Sequence, residues 1–208
     1  MNDSLAYDLG DVFDEIGTLV EIYGSKPVIR ERIDIEQNVQ ISNPFIREHF
    51  IEGTLRAHTK IKPGDVITVL TTKIPYLVVN YSHEMFENEA VVITTTLYKC
   101  NVVATIQRVK EETRDAVTRQ KTIVWETIAT IPAPISSALR GGVSDMNDLQ
   151  PFVQFITKEK LMYFSEQNAP KSLDRIVLPS GQYFKVTNAE YYRFNNVVVC
   201  ALEEDTRA

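Results

Sequence analysis

The stretch KPGDVITVLTTKIPYLVVNYSHEMFEN (residues 62–88) decides how this chain is read, because it returns in altered form as SLDRIVLPSGQYFKVTNAEYYRFNN (residues 172–196). Asn80, Phe86 and Asn88 match Asn188, Phe194 and Asn196 at a constant offset of 108 residues. Upstream, Tyr76 and Val79 match Tyr183 and Val186 after a one-residue slip, and Asp65 before VITV matches Asp174 before RIVL. Each copy reads as an Asp-led apolar strand, a turn and a second strand led by Tyr. A polar connection follows, then a third run, AVVITTTL or VVVCAL, dense in β-branched residues. This is a β-meander written twice, and it predicts a structural duplication; chance is the competing reading, since Tyr/Val strands with Asn turns are common. Under either reading both stretches are strands.

Working outward, KPGD (residues 62–65) is a turn in which Pro63 presets the backbone, Gly64 supplies freedom and Asp65 can bond nearby amides. The N-terminus predicts a helix, with Leu5, Leu9, Val12, Phe13 and Ile16 at helical spacing, Asp3 or Ser4 at its start and Gly17 at its end. Gly10 inside it costs about 1 kcal/mol. Asp8 and Asp11 suit the helix dipole, whereas Asp14 and Glu15 near the end call for a basic partner. After the helix the period becomes two: TLVEIY, VIRERIDIE and REHFIEGTLRA alternate as half-buried strands do.

Residues 90–109 are nearly continuous β-formers, too long for one ordinary strand, and residues 99–101 are the expected bend. VKEETRDAVTRQK (residues 109–121) reads as a charged break, which divides the chain into 1–112, a helix with a β-barrel-like domain, and 113–208, a second β domain. The second half opens with the strand TIVWETIATI. It then reaches a loop over 132–151, PAPISSALRGGVSDMNDLQP, whose prolines and Gly141-Gly142 cannot continue a sheet. FVQFIT resumes as a strand, KEKLMYFSEQ reads as a short helix, and EEDTRA as a polar tail. The fold class is therefore mainly β (α+β): two small β-barrel or sandwich-like units with an N-terminal helix.

At 208 residues, 44% hydrophobic and 24% charged, the chain can bury a core and has no disordered bias. No run approaches the roughly 18 apolar residues of a membrane span, and the acidic N-terminus is unlike a secretory signal, so the expectation is no membrane contact and a cytoplasmic place of assembly. A net charge of −6 argues against a protein that mainly grips nucleic-acid phosphates. The one basic stretch, Lys99, Arg108, Lys110, Arg114, Arg119 and Lys121, is interrupted by Glu111 and Glu112 and reads as a solvated surface. Cys100 and Cys200 lack metal-ligand spacing; they read as buried reduced thiols in strands, able to pair only if the fold brings them together.

No Gly-rich phosphate cradle, nucleophile elbow, zinc helix or zinc-spaced cysteine pair is present, so no enzyme, metal or cofactor is expected. His49 falls on an apolar strand parity and reads as a core residue, with His58 and His83 at strand ends; Asp145 and Asp148 lack the spaced oxygen ligands of a calcium loop. Tyr76, Tyr98, Phe184, Tyr191, Tyr192 and Phe194 could stack bases on an oligonucleotide-binding barrel, but without interleaved Arg and Lys they read as core or interface residues.

KIKPGDVITVL followed by YLVVNYS, and again LDRIVLPSGQYFKVTNAEYY, resembles the head-closure and head-to-tail joining proteins of tailed bacteriophages. Pro63, Gly64, Asp65, Tyr76 and Val79 match that pattern in the first copy, and Asp174, Gly181, Tyr183 and Val186 in the second. The chain departs from it in length, at about twice the common members, and at Ile74-Pro75, where a Gly is expected. The resemblance implies a virion neck protein that forms a homo-oligomeric ring beneath the portal, closes the DNA channel and docks the tail. Its partners would be its own copies, portal or adaptor and tail-terminator or tail proteins, and packaged DNA passing without sequence-specific contact. Residues 136–150, with Ser136, Arg140, Gly141, Gly142, Asp145 and Asp148, are then the candidate gate or inter-subunit arm, an ordinary surface loop being the alternative. The other functional class that the sequence leaves open is a single-stranded nucleic-acid binding module.

Overall fold

A computed structural model describes residues 5–36, 49–86, 89–114, 121–137 and 160–207. Among these residues it is mainly β: one α-helix and fourteen strands in two seven-stranded sheets. The helix α1 (Leu5–Ile16) ends where expected, with the Gly17 amide donating to the Phe13 carbonyl at 2.9 Å and the Arg32 guanidinium donating to the Gly17 carbonyl at 2.8 Å. Asp14 finds its basic partner in Arg56, whose hydrogen bond holds the carboxyl below its ordinary range. The buried stripe is narrower than the periodicity suggests. Leu9 and Phe13 pack on Val91 and Val92, while Val12 and Ile16 face solvent.

The first sheet comprises β1 (Thr18–Ile22), β2 (Arg30–Glu36), β3 (Phe50–Arg56), β4 (Val66–Val69), β5 (Pro75–Val78), β6 (Ser82–Phe86) and β7 (Glu89–Lys99). Its order is β3-β2-β1-β4-β5-β7-β6, and an added β3–β7 pairing closes six of these strands into a barrel, with β6 outside on β7. Alternation does the sorting, because successive strand side chains point to opposite faces. Val20, Ile33, Leu55, Ile67, Val78, Ile93 and Leu97 all point into one buried cluster.

The second sheet comprises β8 (Val102–Arg114), β9 (Lys121–Ala133), β10 (Ile135–Ser137), β11 (Lys160–Ser165), β12 (Arg175–Val177), β13 (Tyr183–Phe194) and β14 (Val197–Glu204), in the order β10-β11-β14-β13-β12-β8-β9. Its two edges are consecutive pieces of chain around Pro134, whose carbonyl accepts the Tyr163 amide at 3.2 Å, so the sheet curls round on itself. Reading β9 and β10 as one kinked strand gives the same cyclic order as the first barrel. The core holds Ala104, Ile106, Met162, Phe164, Ile176, Phe184, Val186 and Cys200.

The bend expected at residues 99–101 separates β7 from β8, and there the chain passes from one sheet to the other. A division at 112–113 is thus corrected: it falls inside the β8–β9 hairpin, because the charges of VKEETR lie on an exposed ribbon and do not interrupt it. The helix expected in KEKLMYFSEQ is likewise corrected over its described residues, from 160 on, to β11 followed by one 3-10 turn, Glu166–Asn168. Six consecutive pairs with β14 and the inward-facing Met162 and Phe164 outweigh its helix-favouring charged residues.

The duplication is written in hydrogen bonds. In the first copy the Lys62 amide donates to the Asp65 carboxylate (2.8 Å), the Asp65 amide to the Lys62 carbonyl (3.0 Å), the Gly64 amide to the Val78 carbonyl (2.8 Å) and the Val78 amide to the Asp65 carbonyl (2.9 Å). In the second, Lys171, Asp174, Leu173 and Val186 make the same four bonds at 2.8, 3.0, 2.8 and 2.9 Å. Val66↔Leu77 and Ile67↔Tyr76 correspond to Arg175↔Lys185 and Ile176↔Phe184. Tyr76 is therefore the counterpart of Phe184, one residue from the sequence match to Tyr183. The slip lies in the preceding connection, bridged by Val69 and Ile74 in one copy and by Leu178 and Gln182 in the other.

Candidate assembly surface

The residues that carry the sequence pattern turn out to be turn and core residues. Pro63, Gly64 and Asp65 form the first turn; Asp174 caps the second and is buried under a bidentate pair with Arg108, at 2.9 and 2.7 Å. Gly181 (φ 79°) occupies the left-handed corner of its connection, and Lys73 (φ 59°) holds the same corner in the first copy, which explains the missing glycine. Tyr76 packs beside the first core, whereas Tyr183 is half-exposed. The loop expected over 132–151 is corrected at its start, since Pro132 and Ala133 complete β9, opposite Val103 and Val102, and Ser136 sits on β10 opposite Leu161; Arg140, Gly141, Gly142, Asp145 and Asp148 lie outside the described residues.

The first turn also receives the second unit. A Cβ on Gly64 would stand 2.3 Å from the Asn196 carbonyl oxygen, so only glycine permits the β13–β14 tip to seat there. Behind it, Leu77, Val79, Tyr98, Cys100 and Val197 form a buried cluster between the two sheets. An aromatic file crosses the junction: Phe50 stacks on Tyr98 (4.1 Å), Tyr98 meets Tyr163 edge-on (5.2 Å), and Phe194 closes it at 6.5 Å. Burial pushes the Tyr98 hydroxyl and the Cys100 thiol up to about 12. The expected core or interface role fits Tyr98, Phe184 and Phe194; Tyr191 and above all Tyr192, 97% exposed, face solvent instead.

Part of the second sheet has no counterpart among the described residues of the first. The β1–β2 ladder stops at Glu21↔Arg30; its counterpart Thr105↔Thr130 is mid-ladder, and β8–β9 continues to Arg114↔Lys121. This is an arm of roughly 30 Å at the usual strand rise. From Lys110 to Arg114 every residue is exposed, and along β9 the apolar Val124 and Ile128 face solvent, with Val109 opposite Trp125. Lys121 pairs with Glu112 at 3.0 Å, an exposed bridge of little worth, while Lys110 and Arg114 are solvated as expected.

At its root the arm is held by a cluster that sequence reading missed. The Arg175 guanidinium lies 3.8 Å from the Trp125 ring centre and 5.1 Å from that of Tyr183, and its Nε donates to Asp205 at 2.8 Å. Arg207 sits 5.0 Å from the same indole and donates to both Asp205 oxygens at 2.8 and 2.9 Å. Burial alone would raise the Asp205 carboxyl, but hydrogen bonds from Arg207 and Arg175 outweigh it and hold it far below the carboxylate range. The polar tail EEDTRA is thus corrected where it is described: Glu203 and Glu204 end β14 and residues 205–207 are anchored, which nothing in their composition distinguishes from a solvated end.

Among the described residues no group of three or more His, Cys, Asp or Glu side chains could hold a metal, and no helix is long and apolar enough to cross a membrane. Cys100 and Cys200 are buried free thiols. His49, half-buried, keeps its Nδ1 buried without a partner, and its carbonyl accepts the Lys99 amide at 2.8 Å; His83 is exposed on β6.

These features define a mainly β protein of two barrel units with an N-terminal helix and a projecting ribbon. No family model and no curated protein matches the chain. Among solved structures it is similar to protein SF1141 from Shigella flexneri 2a, with a TM-score of 0.34 and 16% identity over 52% of this chain and 96% of that one. It is also similar to K. pneumonia MrkH in complex with c-di-GMP, with a TM-score of 0.25 and 11% identity over 98% of this chain and 87% of that one. Likenesses this distant carry no argument about function.

Proposed function

We propose that the protein is a non-catalytic assembly component, in which two duplicated barrels form a rigid base and the β8–β9 arm docks on a neighbouring subunit. The arm carries this reading. It is what the second barrel adds to the first, and a two-stranded ribbon with exposed Val109, Val124 and Ile128 is marginal in water unless something covers it. Its outer β9 edge has no strand partner among the described residues along 121–130, which suits strand addition by a neighbour. The setting we infer, from the sequence resemblance, is the neck of a tailed bacteriophage, with the chain as a ring component between portal and tail. A net charge of −6 fits a channel past which DNA slides.

Sedimentation of lysate from the native source, with mass spectrometry of the fractions and imaging of the particles, tests this setting. Co-migration with virions or tailless heads is expected. A chain found only with small soluble protein, and binding oligonucleotides in a salt-sensitive way, would replace it with the nucleic-acid reading.

A further inference from the structure

We infer that residues 205–207 are a releasable strap that sets the orientation of the arm through Trp125, the chain's single tryptophan. This deepens the arm reading by naming what regulates it. Past β14 the strap joins no strand; its Asp205 amide donates to the Tyr183 carbonyl at 2.9 Å, and side chains supply the rest of its hold. Those side chains converge on one point. Asp205 ties Arg175 to Arg207, the Arg207 carbonyl accepts from the Arg175 guanidinium, and both guanidinium groups lie against the Trp125 indole.

Trp125 belongs to the arm, opposite Val109, and is half-buried while its β9 neighbours Val124 and Glu126 are exposed. The strap and Arg175 are therefore what cover the arm at this position. The closed state carries a built-in opposing cost, because the Trp125 Nε1–H is buried with no acceptor. Opening lets water reach that donor, so closed and open states are more nearly balanced than the ion pairs alone suggest. A neighbour that offers Trp125 an acceptor, or draws Asp205 or Arg207 away, would free the arm.

The test uses the full chain with Asp205→Asn and Arg207→Gln, read by tryptophan emission, acrylamide quenching and amide hydrogen exchange. Expected for both are a red-shifted emission, several-fold stronger quenching and at least tenfold faster exchange in residues 107–114 and 121–128. Amides of β11, β13 and β14 should keep their rates. Unchanged emission and exchange in a folded variant would overturn the inference; so would acceleration of all amides together, or failure of both variants to fold, since either would make the cluster an ordinary core contact. These readouts are internal to one chain, so the strap can fail while arm docking stands, and the reverse.

Discussion

Gly64 and Gly181 are both left-handed, at φ 91° and 79°, yet only one has a neighbour where a side chain would go. Gly64→Ala adds a Cβ 2.3 Å from the Asn196 carbonyl and should cost well over the roughly 1 kcal/mol of the backbone strain alone; Gly181→Ala, with nothing within 4 Å, should cost only about that 1 kcal/mol. Denaturant titration of the two variants separates them, and equal losses would contradict the seating of the β13–β14 tip. The Cys100 and Cys200 thiols, pushed up to about 12 by burial, should resist alkylation at pH 8 in the native protein and react fully in denaturant. Asp205 has the opposite sign. Its folded carboxyl titrates below the unfolded value near 3.8, so its contribution is complete above that pH and is lost as pH falls below it. Stability measured from pH 5 down to 2 should fall less steeply in Asp205→Asn. The turn residues were legible in sequence because proline, glycine and aspartate act locally. Lys73 at the left-handed corner and the Arg175–Trp125–Arg207 stack were not, since one breaks the usual residue preference and the other joins residues remote in sequence.

Alternation found most strands, because one face of each is buried against a barrel core and period two survives in the sequence. It failed where burial failed. The outer part of the arm, residues 110–114 and 121–124, is largely in water, so its charges read as a break, and β11 was obscured by the lysines and glutamate around its two inward residues. Being uncovered, this outer part of the arm should also be dispensable for folding. Replacing residues 110–124 with a two-residue Asn-Gly turn keeps Arg108 on Asp174 and Trp125 on Arg175, and should change stability by no more than about 1–2 kcal/mol in denaturant titration. A loss of several kcal/mol would mean that the ribbon supports the barrel.

The whole molecule reads as a stack: α1 covers one side of the first barrel, and the first barrel covers the β13–β14 tip of the second. The repeat does not propagate. Val66, Leu77, Val79 and Tyr98 receive the second unit, and their counterparts on it are Arg175, Lys185, Thr187 and Glu203, with Lys185 and Glu203 paired at 3.6 Å. A polar face of this kind closes a repeat array, which is why the docking role proposed above is assigned to the arm. Leu77→Ala at the junction should cost about 2–5 kcal/mol and split a single thermal transition into two. The meander echo was legible because its turn kept both its bonds and its residues; the β1–β3 and β8–β11 halves repeat only topology, which the sequence does not display. The central claim is that the arm is the docking element, and the most direct measurement is sedimentation from the native source of the full chain beside the chain lacking residues 110–124. The account predicts that the full chain travels with large particles while the folded, trimmed chain stays with soluble protein. Equal travel of both would contradict it.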